Sequence, residues 1–511
     1  MSFLGQRASR MAVLAALFVA LLGASPCVAV NAAQGAAPST ANLPDPYRGW
    51  SVQLTPQADN PQVLDLVFDS PLLKQRVTNR VYVPTSYRSA GPASPVMYYL
   101  HGTIFSPLDN KLFGPVTQHE ALLDAIGPGG GARQTDIFQF QTQLDKAKFL
   151  LVAPDTSYED TICETCIWID GREDAIPNAH PVTAKPLKAD SFLHQELYPL
   201  VEHLFNVRTD RGGRGVIGFS MGGVAAYLQG LRHPDRYGFV GSVSGALDVI
   251  DEPGVRAIWE GLGYMRDQGY GSALTNETQW RGFNPKDLLA NRNGIDGAVF
   301  SSTGDACLAL GSLLQPDCTR LSPVTNPAAA AVETVLARQY ATQSRLLPEH
   351  GIAESRVQYP GVHGANNYRV YQDNIVPMAN ELFARPVAQP TVFGFRSTDA
   401  EFSVWGYHVT TARVAPVFLD LADASADGRS FQLRGSGAAQ VLTPATFEPG
   451  STHRVDTVAD DGTKSEREIV ADANGRLPIT VDLGSGALLD RLTVPNALAG
   501  PSARTITVHV S

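Results

Sequence analysis

"GVIGFSMGGVAAY", Gly215 to Tyr227, is the stretch on which the reading of this chain turns. Its centre, Gly218-Phe219-Ser220-Met221-Gly222, has the form G-x-S-x-G. An apolar, β-branched run leads into it, and a run of small residues suited to a helix leaves it. Where a strand turns sharply into a helix, the serine sits at the bend. The residues two positions away must be small, because side chains there would strike the adjoining strand and helix. The pattern alone is weak in a chain with 46 glycines. The strand before it and the helix after it make it specific, so Ser220 is expected to be an activated nucleophile.

A serine hydroxyl is unreactive near neutral pH and needs a base within hydrogen-bond reach. Downstream lie His233, His350, His363, His408 and His453. His233 is on the helix leaving the elbow, too close in sequence. His350 ends a helix in "LLPEHGI", and His408 and His453 fall in the C-terminal part. His363, in "VQYPGVHGANNY", occupies a loop directly after a strand and is the expected base. Two carboxylates could hold its tautomer and stabilise the imidazolium. Asp305 directly follows the strand "GAVFSST", and Glu333 lies later, at the start of the helix "AAAAVETVLARQY". Acyl transfer also needs donors for an oxyanion. Those expected are the backbone N–H groups of Met221 and of Thr103, in the turn after "VMYYLHG". His101 in that turn is read as a turn residue and not as a second base.

Around these residues strand-like and helix-like runs alternate. "PVMYYLHG", "FLLVAPD", "GVIGF", "FVGSVSG" and "GAVFSST" read as strands, several of them continuous apolar runs of the buried parallel kind. "SFLHQELYPLVEHLF" carries apolar residues at helical spacing, with Asp190 or Ser191 placed to cap it and Pro199 expected to kink it. The α/β class follows, with a mostly parallel sheet covered on both faces. Past "ARPVAQPTV" the character changes to short alternating runs such as "EFSVWGYHV", "PVFLDLA" and "RTITVHV". About 120 residues of this kind predict an all-β sandwich. The expected division is 34–388 for a catalytic α/β domain and 389–511 for the sandwich.

Arg7 and Arg10 precede an apolar run from Met11 to Ala24, and small residues follow it. This is the layout of a cleaved signal over residues 1–33, with cleavage between Ala29 and Ala33. The protein is expected to be secreted, periplasmic or in the cell envelope, with no stable membrane span. Removal of Cys27 leaves Cys163, Cys166, Cys307 and Cys318, which in an oxidising compartment predict two disulfides. Of three possible pairings the local ones, Cys163–Cys166 and Cys307–Cys318, are favoured. No His joins them at zinc-finger spacing, so neither a metal nor a cofactor is expected. Net charge is −10 without a basic block, which excludes nucleic acid as an expected partner.

Together these segments resemble the "putative esterase" branch of the α/β-hydrolase fold, which holds S-formylglutathione hydrolases (esterase D), feruloyl esterases and the mycobacterial mycolyltransferases. The resemblance runs from Asp69 to Phe383. It is carried by "DSPLLKQRVTNRVYVPTSY", "VMYYLHG", "ELYPLVEHLFNV", "GVIGFSMGGVAAYLQGLRHPDRYGFVGSVSGALD" and "GVHGANNYRVY". It implies Ser220 as nucleophile, His363 as base, and Thr103 and Met221 as oxyanion donors. Esterase D-like enzymes place an aspartate where Asp305 stands. Mycolyltransferases place a glutamate on a later segment that "VETVLARQY" resembles, and the cysteine-bearing excursion before it favours Glu333. Mycolyltransferases carry Asp-Gly-Leu-Arg where this chain has "HGTI", and Ser-Trp where it has Gly364-Ala365. Trehalose mycolyl transfer is therefore not expected.

The expected activity is that of an exported serine esterase acting through an acyl-enzyme on a small or polymeric ester. Two alternatives stand beside it: an acyltransferase that delivers the acyl group to a sugar or lipid hydroxyl, and an inactive scaffold contacting glycan or cell envelope through its C-terminal domain.

Overall fold

Strands whose residues are apolar on both faces belong in the middle of a covered sheet, and the computed structural model places them there. It describes residues 38–102, 135, 138–156, 168–171, 188–261, 270–272, 274–320, 323–324, 326–413, 415–493 and 503–511. Nine strands form the first sheet: β1 (Gln53–Pro56), β2 (Val63–Ser70), β3 (Gln75–Tyr82), β4 (Val96–Leu100), β5 (Leu150–Ala153), β6 (Arg214–Phe219), β7 (Phe239–Val243), β8 (Ala298–Gly304) and β9 (Glu354–Tyr359). Their order is β1-β2-β3-β5-β4-β6-β7-β8-β9. Pairing is antiparallel from β1 to β5 and parallel from there to β9.

Strand β4 shows why its sequence is continuously apolar. Val96, Tyr98 and Leu100 enter one core, and Met97 and Tyr99 enter the core on the opposite face. The period-two alternation of a strand thus serves two helical layers at once. The layers include α1 (Tyr198–Leu204), α2 (Met221–Arg232), α3 (Pro327–Glu349) and α4 (Val376–Phe383).

The helical run that ends in α1 shows how its proline is placed and what caps it. Pro199 is accommodated by a π-helical stretch, Phe192–Leu197, directly before α1. Widening the upstream turns is one way to fit a ring that cannot donate to the helix. The same pairing recurs at Tyr371–Ile375 and Pro377 of α4. Against expectation, Asp190 and Ser191 do not cap this helical run. Asp170 does so from another segment, accepting from the Ser191 N–H (2.9 Å) and hydroxyl.

The C-terminal part is all antiparallel. Strands β10 (Val392–Ser397), β13 (Leu419–Ser425), β14 (Ser430–Gly435), β19 (Arg504–Val510), β16 (Thr452–Ala459) and β17 (Lys464–Val470) form one sheet in that order. Strands β11 (Glu401–Val404), β12 (Tyr407–Ala412), β15 (Ala438–Leu442) and β18 (Pro478–Asp482) form the other. Leu421, Leu433 and Val508 of the first share a core with Val409, Val441 and Ile479 of the second. Inward and outward residues alternate along β10, β11, β14, β15 and β18, as a two-sheet sandwich requires.

This sandwich is tied to the α/β part through buried and half-buried polar groups. Asn291 is fully buried and pairs with the backbone of β10 as a neighbouring strand would. Its amide donates to Arg396 O (2.9 Å) and its oxygen accepts from Arg396 N (2.7 Å). Asp490 accepts from the N–H and the hydroxyl of Thr278, both at 2.8 Å. Arg232, the last residue of α2, pairs with Asp399 at 2.7 Å.

Candidate active site

The elbow is built by glycines whose missing side chains leave no alternative. A Cβ on Gly218 would come within 2.0 Å of Gly222 O, and one on Gly222 within 2.0 Å of Leu100 O. Backbone thus packs on backbone where β6 enters α2 beside the end of β4. Ser220 sits at the bend with φ 57° and ψ −120°, outside the ordinary regions for a residue bearing a side chain. Its N–H donates to Val243 O (2.9 Å), and its carbonyl accepts from Gly223 and Val224 in the first turn of α2. Strain of this sort persists only where surrounding contacts enforce it.

His363 Nε2 lies 2.9 Å from Ser220 Oγ, and His363 Nδ1 lies 2.6 Å from Glu333 Oε2. The carboxylate can only accept, so Nδ1 carries the ring proton and Nε2 is left to accept from the serine hydroxyl. The ring stacks on Phe219 at 4.7 Å between centroids. Glu333 is fully buried on α3. Its other oxygen accepts from Ser244 Oγ (2.8 Å), Thr303 Oγ1 (2.7 Å) and the Gly304 N–H. Burial alone would raise the Glu333 pKa. The hydrogen bond and charge of His363, with the Gly304 N–H and Thr303, outweigh it and hold the carboxyl below its ordinary range.

The structure brings Ser220, His363 and Glu333 into one chain of hydrogen bonds and leaves Asp305 outside it. Asp305 accepts from the N–H groups of Cys307 (2.7 Å) and Gly361 (3.0 Å) and from the Ser312 hydroxyl. Ser244 and Thr303 escaped the sequence reading. The available signal was a hydroxyl at or just past the carboxyl end of each of two adjacent strands, in "SVSG" and "SST". Met221 is the first residue of α2, where N–H groups have no intrahelical acceptor to reach. Thr103 lies outside the described residues, as do the signal segment, Cys163 and Cys166. The turn before Thr103 is in place, since a Cβ on Gly102 would lie 3.0 Å from Ser220 Cβ.

His101 is fully buried at that turn. Its Nδ1 bonds to Gly102 O (2.9 Å), and its Nε2 accepts from the Thr156 N–H (3.4 Å). Trp168 Nε1 donates to the His101 carbonyl at 3.2 Å. Burial lowers the His101 pKa against the opposing pull of Asp155, so the ring is held neutral and holds the turn. Cys307 and Cys318 are joined in a disulfide. Their sulfurs are therefore unavailable to a metal, although Asp305 lies close to both.

A second cluster, Asp190, His194 and His233, brings its ligand atoms within 4.8 Å of one another. It sits at the far end of α2, about 18 Å from Ser220 for a 12-residue helix. His194 Nε2 bonds to Gln229 Oε1 (2.8 Å) and His194 Nδ1 accepts from Arg236 (2.9 Å), so both ring nitrogens are engaged. The cluster is a hydrogen-bonding network, not a ready metal site. A cleft of about 820 Å³ opens at the same end of α2, lined by Asp170, Arg232, Phe283, Asp399, Glu401 and Arg413 among others. It includes none of Ser220, His363 and Glu333.

A mostly parallel sheet, a strained serine at the strand-to-helix bend, and a histidine bonded to a buried carboxylate define an α/β-hydrolase. Within that class, residues 70–292 match the family described as "Putative esterase". The match contains Ser220 and ends before Glu333 and His363. No curated protein matches the chain. Among solved structures it is similar to an S-formylglutathione hydrolase from Agrobacterium tumefaciens, at 14% identity over 65% of this chain and 99% of that one, with a TM-score of 0.43. It is also similar to MPT51 of Mycobacterium tuberculosis, at 13% identity over 66% and 98%, with a TM-score of 0.41. A ferulic acid esterase from Anaeromyces mucronatus aligns at 14% identity over 64% and 94%, with a TM-score of 0.31.

Proposed function

We propose that this chain is an exported serine esterase that cleaves carboxylic esters through an acyl-enzyme. The observation that carries the reading is the unbroken chain from buried Glu333 through His363 to Ser220. As Ser220 Oγ bonds to the ester carbonyl carbon, its proton passes to His363 Nε2. The ionised Glu333 beside Nδ1 stabilises the imidazolium. The carbonyl oxygen becomes an oxyanion, met by the backbone N–H of Met221 and that of Thr103. The bond to the alcohol oxygen then breaks, and Nε2 returns its proton to the leaving oxygen. Water repeats the sequence on the acyl-enzyme, yielding the carboxylic acid and regenerating Ser220. The catalytic part is assigned to residues 34–388 and the sandwich to 389–511. Export is supported by the leader-like residues 1–33 and by the Cys307–Cys318 disulfide, since such bonds persist in oxidising compartments.

Stopped-flow release of nitrophenol from a nitrophenyl ester, with fluorophosphonate labelling in parallel, tests this. A burst equal to the enzyme concentration and a label on Ser220 are expected. No burst and no label would refute it. Added trehalose or another polyol should leave the free acid as the product, and acyl transfer to the polyol would replace hydrolysis with transferase chemistry.

A further inference from the structure

After β8 ends at Gly304, the chain leaves the sheet in the loop "CLALGSLLQPDC", Cys307 to Cys318. Leu308, Leu310, Leu313 and Leu314 in this loop are 67, 107, 56 and 84% exposed. Single exposed leucines are ordinary, but four in so short a segment form a patch that calls for a reason. Collapse onto the protein would hide them, and three features oppose it. The disulfide closes the base of the loop, its two cysteines buried against Val362 and Ala365. Ala306 and Cys307 launch the loop with φ of 56° and 59°, a left-handed backbone costly for residues with side chains. Asp305 then clamps the loop, through the Cys307 N–H and the Ser312 hydroxyl, to the Gly361 N–H.

Gly361, Val362 and Ala365 belong to the loop that carries His363. The leucines are therefore held outward on a brace shared with the base. Residues 308–316 carry no charged side chain. The first charge after them, Asp317, is buried and paired with Arg369 at 3.0 Å. In a chain of net charge −10, such a neutral, apolar projection braced on the His363 loop fits an occupant that is itself apolar and uncharged.

We propose that the Cys307–Cys318 loop seats the protein on the surface of an aggregated acyl lipid. Its leucines enter the hydrocarbon boundary, and the ester reaches Ser220 from the lipid side. The choice of lipid ester as substrate rests on the esterase reading of Ser220, whereas the seating does not. Asp305 acts here as a positioning residue for the loop.

The test uses the exported form without residues 1–33, carrying Ser220→Ala so that no lipid is consumed, sedimented with phosphatidylcholine vesicles. Protein with intact leucines should co-sediment equally at low and high salt, because apolar insertion is not screened. The variant L308S/L310S/L313S/L314S should partition about tenfold less or weaker still. The single change Leu310→Asp should move in the same direction. With Ser220 present, both leucine variants should cleave nitrophenyl acetate like the parent and lose activity on an emulsified long-chain ester. Failure of the intact-leucine protein to co-sediment overturns the proposal. So does equal partition of the fourfold variant, or a parent that ignores vesicles and is a leucine-dependent dimer. A parent that co-sediments but never cleaves nitrophenyl acetate would sink the esterase reading and leave the seating intact.

Discussion

Glu333→Gln probes the hydrogen-bond chain at its buried end. Glu333 accepts from the His363 ring, the Ser244 and Thr303 hydroxyls and the Gly304 N–H. Glutamine has nearly the same shape but offers one oxygen in place of two. If its nitrogen faces His363, two N–H groups collide, and the ring escapes by moving its proton to Nε2, which can then no longer accept from Ser220. If the nitrogen faces the other way, the two hydroxyls can rotate to accept, but the Gly304 N–H cannot. In both cases the charge that supports the imidazolium is gone. The corresponding change in a Ser-His-Asp triad lowers kcat about 10⁴-fold, or about 5.4 kcal/mol of transition-state stabilisation. Turnover of a soluble nitrophenyl ester is the assay, and Asp305→Asn is the control. Asp305 does not touch His363, so its variant should stay within about tenfold of the parent. A Glu333→Gln enzyme that remains within that range refutes the reasoning, as does an Asp305→Asn enzyme that falls as far as Glu333→Gln should.

The same carboxylate ties stability to pH. Its folded pKa lies below the ordinary glutamate range, so the stability it contributes is present above about pH 4.3 and is lost as pH falls through the folded value. Tm should therefore drop less steeply on acidification in Glu333→Gln than in the parent, and equal slopes across a pH series would count against it. Ser220→Ala should lower turnover by at least about 10³-fold with an unchanged circular dichroism spectrum; retained fluorophosphonate labelling would end the assignment. Gly222→Ala places a Cβ 2.0 Å from Leu100 O, and its backbone cannot give way without moving Ser220. Destabilisation of about 1–3 kcal/mol in urea melts is expected, with loss of labelling; wild-type stability and labelling would contradict it. Truncation after Arg385 removes the partners of Asn291, Arg232 and Thr278. Each hydrogen bond so lost costs about 0.5–1.5 kcal/mol, because the bared groups turn to water instead. The fragment should be far less stable than the whole chain, and an equally stable, active fragment would show that the sandwich is dispensable to the core.

The parts of this fold legible in the sequence are those governed by short-range rules. The elbow could be read because its glycines exclude side chains on grounds visible within five residues. The buried parallel strands could be read because both their faces are apolar. The segment that joins the two parts is the opposite case. "RPVAQP" reads as a free linker from its prolines, but Arg385 bonds to Asp296 at 2.9 Å and Ala388 N–H to the same carboxylate at 2.9 Å. Those partners lie about 90 residues away, where no local pattern announces them. Asp170 capping Ser191, and Asn291 acting as a strand for β10, are of the same kind.

Asp305 and Glu333 show why position after a strand is an insufficient guide to which carboxylate meets His363. Asp305 and Glu333 both follow β8, and on spacing alone the nearer one has the simpler path to His363. What separates them is room at the strand end. A Cβ on Gly304 would lie 3.0 Å from Glu333 Cγ and 2.2 Å from Gly361 O. A side chain there would push α3 and the His363 loop off the sheet. With glycine at 304, Glu333 drops into the space, takes the Gly304 N–H and the Thr303 hydroxyl, and reaches Nδ1 from beneath. Asp305, one residue past the strand, is then left to bind Cys307, Ser312 and Gly361. The two carboxylates thus divide the work, one orienting the imidazole and the other fixing the loop that flanks it. Restoring a side chain at 304 should cost both functions together, whereas Asp305→Asn should loosen only the second.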